Sequence, residues 1–388
     1  MYPRVEIDTD RIRLNIRALL KRIGTSALIA VVKENAYGCG LIPVSSIAVE
    51  EGACALAVTT ITDAVTLRKS GLSVPIMLLA KPQYEELATA VDFNLTIPIN
   101  SADDIDIISS VAAAADRIAS IALAVNTGMN RYGIAPEDAR HIAETLKLAT
   151  NLSFDFIYSH LDSSEFAVDT HTDEQLATFR SVLAVFELYR DDAASQIAPT
   201  VDCDTMPSDE RSNTPVISLA NSAAVLRYPE THFDAVRSGC LPLGITTIEG
   251  EENPADFGSP FSFRTVVSHV RPVKAGDTVG YNRTYTVPSD SHLAVISGGY
   301  GSGIPSRLSN NGEVLIGGRR YPIVGNICMS QFTVNLGPDT TVRPGDVVTL
   351  VGTDGRETIS VDDIEARTGL KLIEIMCNFS ALNPIIHL

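Results

Sequence analysis

The sequence predicts a (β/α)8 barrel followed by a mostly antiparallel β domain, and three observations carry that prediction. Eight short apolar or alanine-rich runs recur through the first two-thirds of the 388 residues. Amphipathic stretches with helical spacing separate most of them. Near residue 247 the texture changes to alternating β-branched segments broken by glycine, proline and asparagine.

The strand candidates are residues 27–33, 54–59, 75–80, 95–98, 118–125, 154–160, 216–220 and 235–238. Near-continuous apolar strands suit a parallel sheet, whose two faces are both covered. Helices alternating with eight such strands suit a closed barrel better than an open sheet. The first helix, 8–22, repeats Ile12, Ile16, Leu19 and Leu20 on one face. The stretch 101–117 opens on Ser101 and Asp103, a capping pattern. Pro136 suits the first turn of 136–148, 174–189 is another helix, and 221–228 is a short one. Residues 191–215 carry three prolines and six acids, Asp202, Asp204, Asp209 and Glu210 among them, without a rigid frame, which indicates a mobile surface insertion and not a metal site. The β domain supplies candidates at 263–271, 292–297, 312–316, 331–336 and 346–351. Lys274–Thr278 and Arg343–Val348 each carry a basic-x-Gly-Asp turn entering a strand. The expected division is 9–247 for the barrel and 248–388 with 1–8 for the β domain.

Bulk properties exclude several classes. A formal net charge of −17 repels phosphate backbones and anionic lipid, so nucleic acid and membrane partners are not expected. A small ligand remains compatible, because a local pocket can be positive inside an acidic shell. The six cysteines show no C-x-x-C pair and no zinc spacing, which predicts reduced thiols and no metal. The first twenty residues have no signal-peptide core, and no apolar run approaches membrane-spanning length. A soluble cytoplasmic protein is expected.

In a parallel barrel the working end is the C-terminal edge of the strands. Just past the candidates lie Lys33, Arg131, His160, Asn221 with Ser222, and Arg237 followed by Gly239. Cations, a serine and glycine turns converging on one rim form a site hypothesis. A lysine ending a buried strand suffers desolvation as an ammonium ion. So desolvated it is nucleophilic and can condense with an aldehyde cofactor. Tyr37 offers a phenol, and Gly38 and Gly40 permit close backbone approach. His160 is equally a structural histidine on this reading. From the residues alone, Tyr281, Tyr285 and Tyr300 read as ordinary β-domain aromatics, and Cys328 and Met329 as core.

The stretch VVKENAYGCG resembles the cofactor-lysine motif of alanine racemases. NTGMNRYG, ANSAAVLRYP, HFDAVRSGC, GDTVGYNRTY, SGGYGSGIPSRLS and VGNICMSQ are similar to further blocks of that family, in its order and over nearly the whole chain. The resemblance implies pyridoxal 5'-phosphate as cofactor, a small amino acid as substrate and a homodimer with shared active sites. Lys33 would hold the cofactor and act as base on one face, with Tyr281 of a second subunit as base on the other. Tyr37, Ser222 and the backbone of Gly239 and Cys240 would hold the phosphate. Arg131 would reach the cofactor's phenolic oxygen and the substrate carboxylate, and Arg237 the pyridine nitrogen. His160 would support Tyr281, Met329 would offer a backbone N–H to substrate, and Tyr300 would line the entrance. Asn221 joins the cofactor-binding set through the ANSAA block.

Two opposed acid/base groups are what inversion of a stereocentre requires. An arginine at the pyridine nitrogen distinguishes a racemase from barrel-type decarboxylases and lyases, which resemble this fold but use an acid there. A cofactor-binding protein without turnover is the reading from another class. This chain departs from the family pattern at Ala124, where a lysine is frequent, and at Asn126, where aspartate is usual. It departs again at Ser330, Ser306, Asn326 and Ala381. A small anion beside Asn126 and Arg131 could replace the missing lysine. A wider or more polar pocket keeps serine or a larger amino acid open as substrate behind alanine.

Overall fold

The computed structural model describes residues 2–166, 170–188, 214–246, 248 and 254–388. It divides into two compact units. One comprises Arg11–Ala36 and Leu41–Ser259, the other Met1–Asp10, Tyr37–Gly40 and Pro260–Leu388. Apart from residues 214 and 215, the expected insertion at 191–215 lies outside the described residues, as does Cys203.

The chain starts with β1 (Arg4–Ile7), which belongs to the second unit. The first unit is a parallel barrel of β2 (Ala27–Val31), β3 (Ala55–Val58), β4 (Ile76–Leu78), β5 (Ile97–Ile99), β6 (Ala119–Ala124), β7 (Leu152–Tyr158), β8 (Val216–Ser218) and β9 (Ala235–Ser238). Their order is β4-β3-β2-β9-β8-β7-β6-β5. A parallel bridge between Met77 and Thr96 joins the two ends. There Leu78 N–H donates to Thr96 O (3.0 Å) and Thr96 N–H to Ile76 O (2.9 Å). All eight apolar runs form these strands, because a parallel strand covered on both faces must be apolar throughout. Helices Thr9–Ile23, Leu41–Glu50, Ile61–Lys69, Ala102–Ala114, Ala139–Leu148 and His171–Val185 connect them. The first buries Ile12, Ile16, Leu19 and Ile23.

Two helix starts differ from expectation. Ser101 occupies the N-cap position without a side-chain bond. The Asp104 carboxylate, not Asp103, accepts from the Asn100 N–H (2.8 Å) and meets Lys81 Nζ at 2.5 Å. Pro136 opens a single 3-10 turn, Pro136–Asp138, before the α-helix.

The second unit is built on a nine-stranded sheet. Its further strands are β10 (Phe261–Val273), β13 (Ser291–Ser297), β14 (Glu313–Ile316), β15 (Arg319–Val324), β16 (Gln331–Gly337), β17 (Val347–Asp354), β18 (Glu357–Ile359) and β19 (Ile385–His387). A separate ribbon pairs β11 (Thr278–Val279) with β12 (Tyr285–Thr286). Pairing is antiparallel except between β1 and β19. Both basic-x-Gly-Asp segments form the same turn. Asp277 accepts from the Lys274 N–H and Asp346 from the Arg343 N–H, each at 2.8 Å. Strands β12, β15, β18 and β19 and the helices Val361–Thr368 and Leu372–Leu382 are additions to the predicted set.

Cys39, Cys240, Cys328 and Cys377 are not disulfide-bonded. Cys54 is disulfide-bonded, which corrects the expectation of a wholly reduced set. Pairing depends on Cα atoms approaching within about 7 Å, which sequence spacing does not reveal. Among the described residues no group of three or more His, Cys, Asp or Glu could hold a metal ion. No helix among them is long and apolar enough to cross a membrane.

Candidate active site at the barrel mouth

Lys33 lies two residues past the end of β2 and is half-buried. From Glu34 the chain winds left-handed through four residues, with φ of 53° at Glu34, 56° at Asn35, 52° at Ala36 and 54° at Tyr37. L-residues avoid this region because Cβ crowds the following carbonyl, at roughly 1–2 kcal/mol each. The turn is held by Ala36 N–H on Val32 O (2.9 Å) and Leu41 N–H on Asn35 Oδ1 (2.8 Å).

Arg237 lies within β9 and is 4% exposed. Its Nη1 donates to the Ser218 carbonyl (2.9 Å) and hydroxyl (2.8 Å), and its Nη2 to the Ser159 carbonyl. The guanidinium thus spans three adjacent strand ends and is fixed. Burial lowers its pKa to about 10, so it stays charged near neutrality. It sits 5.0 Å from the Tyr158 ring centroid, and burial pushes the Tyr158 phenol up to about 12. Nη2 also approaches His160 Nδ1 at 3.5 Å. Burial, then the charges of Arg237, Arg131 and Lys33, lowers His160 to about 3. The ring is therefore neutral. A cation donating toward Nδ1 leaves the proton on Nε2, an assignment made from the hydrogen-bond pattern.

At the next strand end the Ser222 and Ser238 hydroxyls meet at 3.0 Å, and the Cys240 N–H donates to Ser222 Oγ (3.2 Å). Burial raises the Cys240 thiol to about 11, so it is not a nucleophile here. Gly239 lies between Ser238 and Cys240 and is buried. Asn221 caps the helix Ser222–Arg227 by accepting from Ala224 N–H (3.0 Å). Its amide donates to Leu161 O (3.1 Å), and its oxygen also accepts from Ser164 Oγ (2.8 Å). Those bonds give it a loop-fastening role.

Arg131 is exposed on a loop whose base is pinned by a bridge between Val125 and Ile134. Gly133 has φ +107°, and a Cβ there would lie 2.6 Å from Asn126 N. Asn126 turns inward on its own loop. Its Oδ1 accepts from Gly128 and Asn130 N–H (3.2 and 3.0 Å), and its Nδ2 donates to Asn130 Oδ1 (2.9 Å). An amide so engaged is poorly placed to hold an anion. Ala124 is buried, in register with Tyr158 on β7.

In the second unit, Tyr281, Met329 and Tyr300 are 72%, 61% and 48% exposed. The Tyr300 N–H donates to Cys328 O (3.0 Å) and the Gly301 N–H to Met329 O (2.9 Å). A Cβ on Gly299 would lie 2.0 Å from Cys328 O, so only glycine permits this approach. Asn326 Nδ2 donates to Tyr281 O (3.1 Å). Tyr281 is flanked by Gly280, Asn282 and Arg283, all at positive φ. Arg307 donates to Thr368 O (2.6 Å), so it does not stand in for an arginine at Ser306. Tyr37 also falls in this unit, where it is buried.

Residues 7–247 match the family described as "Alanine racemase, N-terminal domain", and 261–387 match "Alanine racemase, C-terminal domain". The chain belongs to the alanine racemase family. Its curated relatives include alanine racemases of Symbiobacterium thermophilum, 31% identical over 98% of this chain and 95% of theirs, and of Methanococcus maripaludis, 32% identical over 99% and 98%. The crystal structure of the alanine racemase of Streptomyces lavendulae superposes with a TM-score of 0.87 at 30% identity, covering 99% of this chain and 96% of that one. Alanine racemase membership ties the two units to one enzyme.

Against that background the structure brings Lys33, Arg131, His160 and Arg237 into one electrostatic neighbourhood, since the charges of Arg237, Arg131 and Lys33 all act on His160. It gathers Ser222 and Cys240 at the same end of the barrel. Tyr281, Tyr300 and Met329 belong to the other unit, where each is exposed. Residue reading missed the buried serines 159, 218 and 238 and the glutamine Gln175. Small polar residues at strand ends give no distinguishing signal.

Proposed function

We propose that this chain is a homodimeric, cytoplasmic, pyridoxal 5'-phosphate-dependent racemase that interconverts L- and D-alanine. The observation that carries the reading is the fixed, charged Arg237 beside a neutral His160 at a mouth containing Lys33. Bound there, the cofactor would make the α-hydrogen of an amino acid acidic.

The residues present fit that group. Lys33 supplies the amine an aldehyde needs. Ser222 Oγ and the Cys240 N–H supply donors for a phosphate, and Tyr37 a further phenol. Arg237 cannot give up its proton near neutrality, so it favours an unprotonated ring nitrogen facing it. Charge is then not drawn deep into the ring, which opposes decarboxylation and elimination and favours quick return of the proton. Arg131 offers a guanidinium for the substrate carboxylate.

Lys33 moves the proton on one face. On the other, Tyr281 of a second copy does so, with His160 Nε2–H as the donor that steadies its phenolate. The exposure of Tyr281, Tyr300 and Met329 supports their use by a partner copy. The site opens in an acidic molecule, yet its own charges are cationic, which suits a carboxylate substrate.

Incubating the purified protein with a panel of L-amino acids in heavy water tests this. Racemised alanine carrying deuterium at the α-carbon is expected. Carbon dioxide or a lost amino group would replace the reading with a lyase, and cofactor binding without exchange would make the protein a binder. Serine racemised faster than alanine would shift the substrate, as the departures at Ser306, Ser330, Asn326 and Ala381 allow.

A further inference from the structure

Gln175 sits on the helix His171–Val185 and is fully buried. Its amide reaches two active-site loops. Oε1 accepts from the Asp162 N–H (3.1 Å), and Nε2 donates to the His160 carbonyl (3.1 Å) and to Thr127 Oγ1 (3.2 Å). The direction of each bond is forced. A backbone N–H can only donate and a carbonyl can only accept. Ser159 Oγ spends its one proton on Val125 O (2.7 Å), so in the 2.8 Å contact between Thr127 and Ser159 the threonine donates. Thr127 Oγ1 is then an acceptor for Gln175. The buried chain runs Gln175 to Thr127 to Ser159 to Val125, and the Ser159 carbonyl takes Arg237 Nη2.

Resting on the racemase reading above, we propose that Gln175 is a positioning residue for the reaction: it sets the loops that present Arg131 and His160. Thr127 is four residues before Arg131, on the loop closed by the Val125–Ile134 bridge. The bonds at His160 O and Asp162 N bracket the turn from which the His160 ring projects. No other side-chain type supplies one acceptor and two donors in this plane at this length. A carboxylate at 175 would face two acceptors, His160 O and Thr127 Oγ1. A thioether would fill the space and bond none of the three.

The test uses the cofactor-loaded enzyme with Gln175→Met, Gln175→Glu and Thr127→Val. Gln175→Met should lower kcat by about tenfold or more, because sub-ångström misplacement of catalytic groups is costly. It should also raise KM for the carboxylate substrate, with secondary structure and cofactor absorbance retained. Gln175→Glu should match that loss at alkaline pH and recover as pH falls, since a protonated carboxyl regains one donor. Thr127→Val should show a smaller loss in the same parameters and keeps the test open if Gln175→Met does not fold. Wild-type kcat and KM in Gln175→Met or Thr127→Val would overturn the proposal. So would a Gln175→Glu profile parallel to the wild type. If the wild type racemises nothing, the functional reading fails alone. Hydrogen exchange of peptides 126–131 and 160–162 then decides: faster exchange in Gln175→Met supports positioning, and unchanged exchange refutes it.

Discussion

His160 takes its character first from burial and then from the charges of Arg237, Arg131 and Lys33, all of which disfavour its protonation. The sign of the stability effect follows. The unfolded chain protonates this ring near pH 6.5, the folded chain only near 3, so its neutral form contributes fully above pH ~6.5 and that contribution drains as pH falls toward 3. Buried His232 acts in the same direction. Asp155 and Asp234, raised by burial, act in the opposite one, their cost being relieved in acid. Urea midpoints measured from pH 7.5 to 4 should therefore fall less steeply for His160→Gln than for the wild type. Parallel curves would show that His160 is protonated as readily in the folded state. The positions of Lys33, His160 and Arg237 were legible because each is an ionisable group at or near the end of an apolar strand, and that of Arg131 because it lies on the loop that follows one. Gln175 and Ser159 were not, because a polar residue's burial depends on contacts far apart in the chain.

The left-handed turn after Lys33 carries a local conformational cost at four consecutive residues. Glu34 is exposed at φ 53°, ψ 52°. Glycine there would shed about 1–2 kcal/mol of steric strain while adding about 0.5–1 kcal/mol of unfolded-state entropy. Glu34→Gly should accordingly raise the unfolding free energy by about 0.5–1 kcal/mol in a denaturant titration. A decrease would show that the glutamate side chain contributes more than its backbone costs. Nothing in KENAY announces this handedness except Asn35, whose short amide tolerates positive φ. The barrel strands were readable because burial on both faces leaves only apolar residues. The helices at 361–368 and 372–382 were readable in principle. Ser360 and Asp363 form a reciprocal cap, and Ile375, Met376 and Phe379 are buried at helical spacing. The alternating texture before them masked the change of period.

For the whole molecule, the proposed sharing of active sites between two copies makes an all-or-none forecast about mixtures. Lys33→Ala and Tyr281→Phe should each abolish or sharply reduce racemisation alone. In a hybrid dimer both lesions fall in one site and the other is intact. Equal mixing after dissociation should restore about a quarter of wild-type activity, since about half the dimers are hybrids with one working site each. No recovery despite demonstrated hybrid formation would place Tyr281 in the same copy's site, or outside catalysis. The prediction needs only that the barrel lysine and the β-unit tyrosine meet across copies.

One pairing in the β unit bears on how the protein is made. Val5–Ile7 lie antiparallel to Phe261–Phe263 and parallel to Ile385–His387. A ribosome synthesising this chain at ~5–20 residues per second releases the first of those strands roughly 20–75 seconds before its last neighbour exists. The barrel can close early, while the early strand waits with an unpaired edge. Chaperone dependence should therefore concentrate on the interval before residue 385 leaves the exit tunnel, and stalling translation just short of it should yield folded barrels with sticky, incomplete companions.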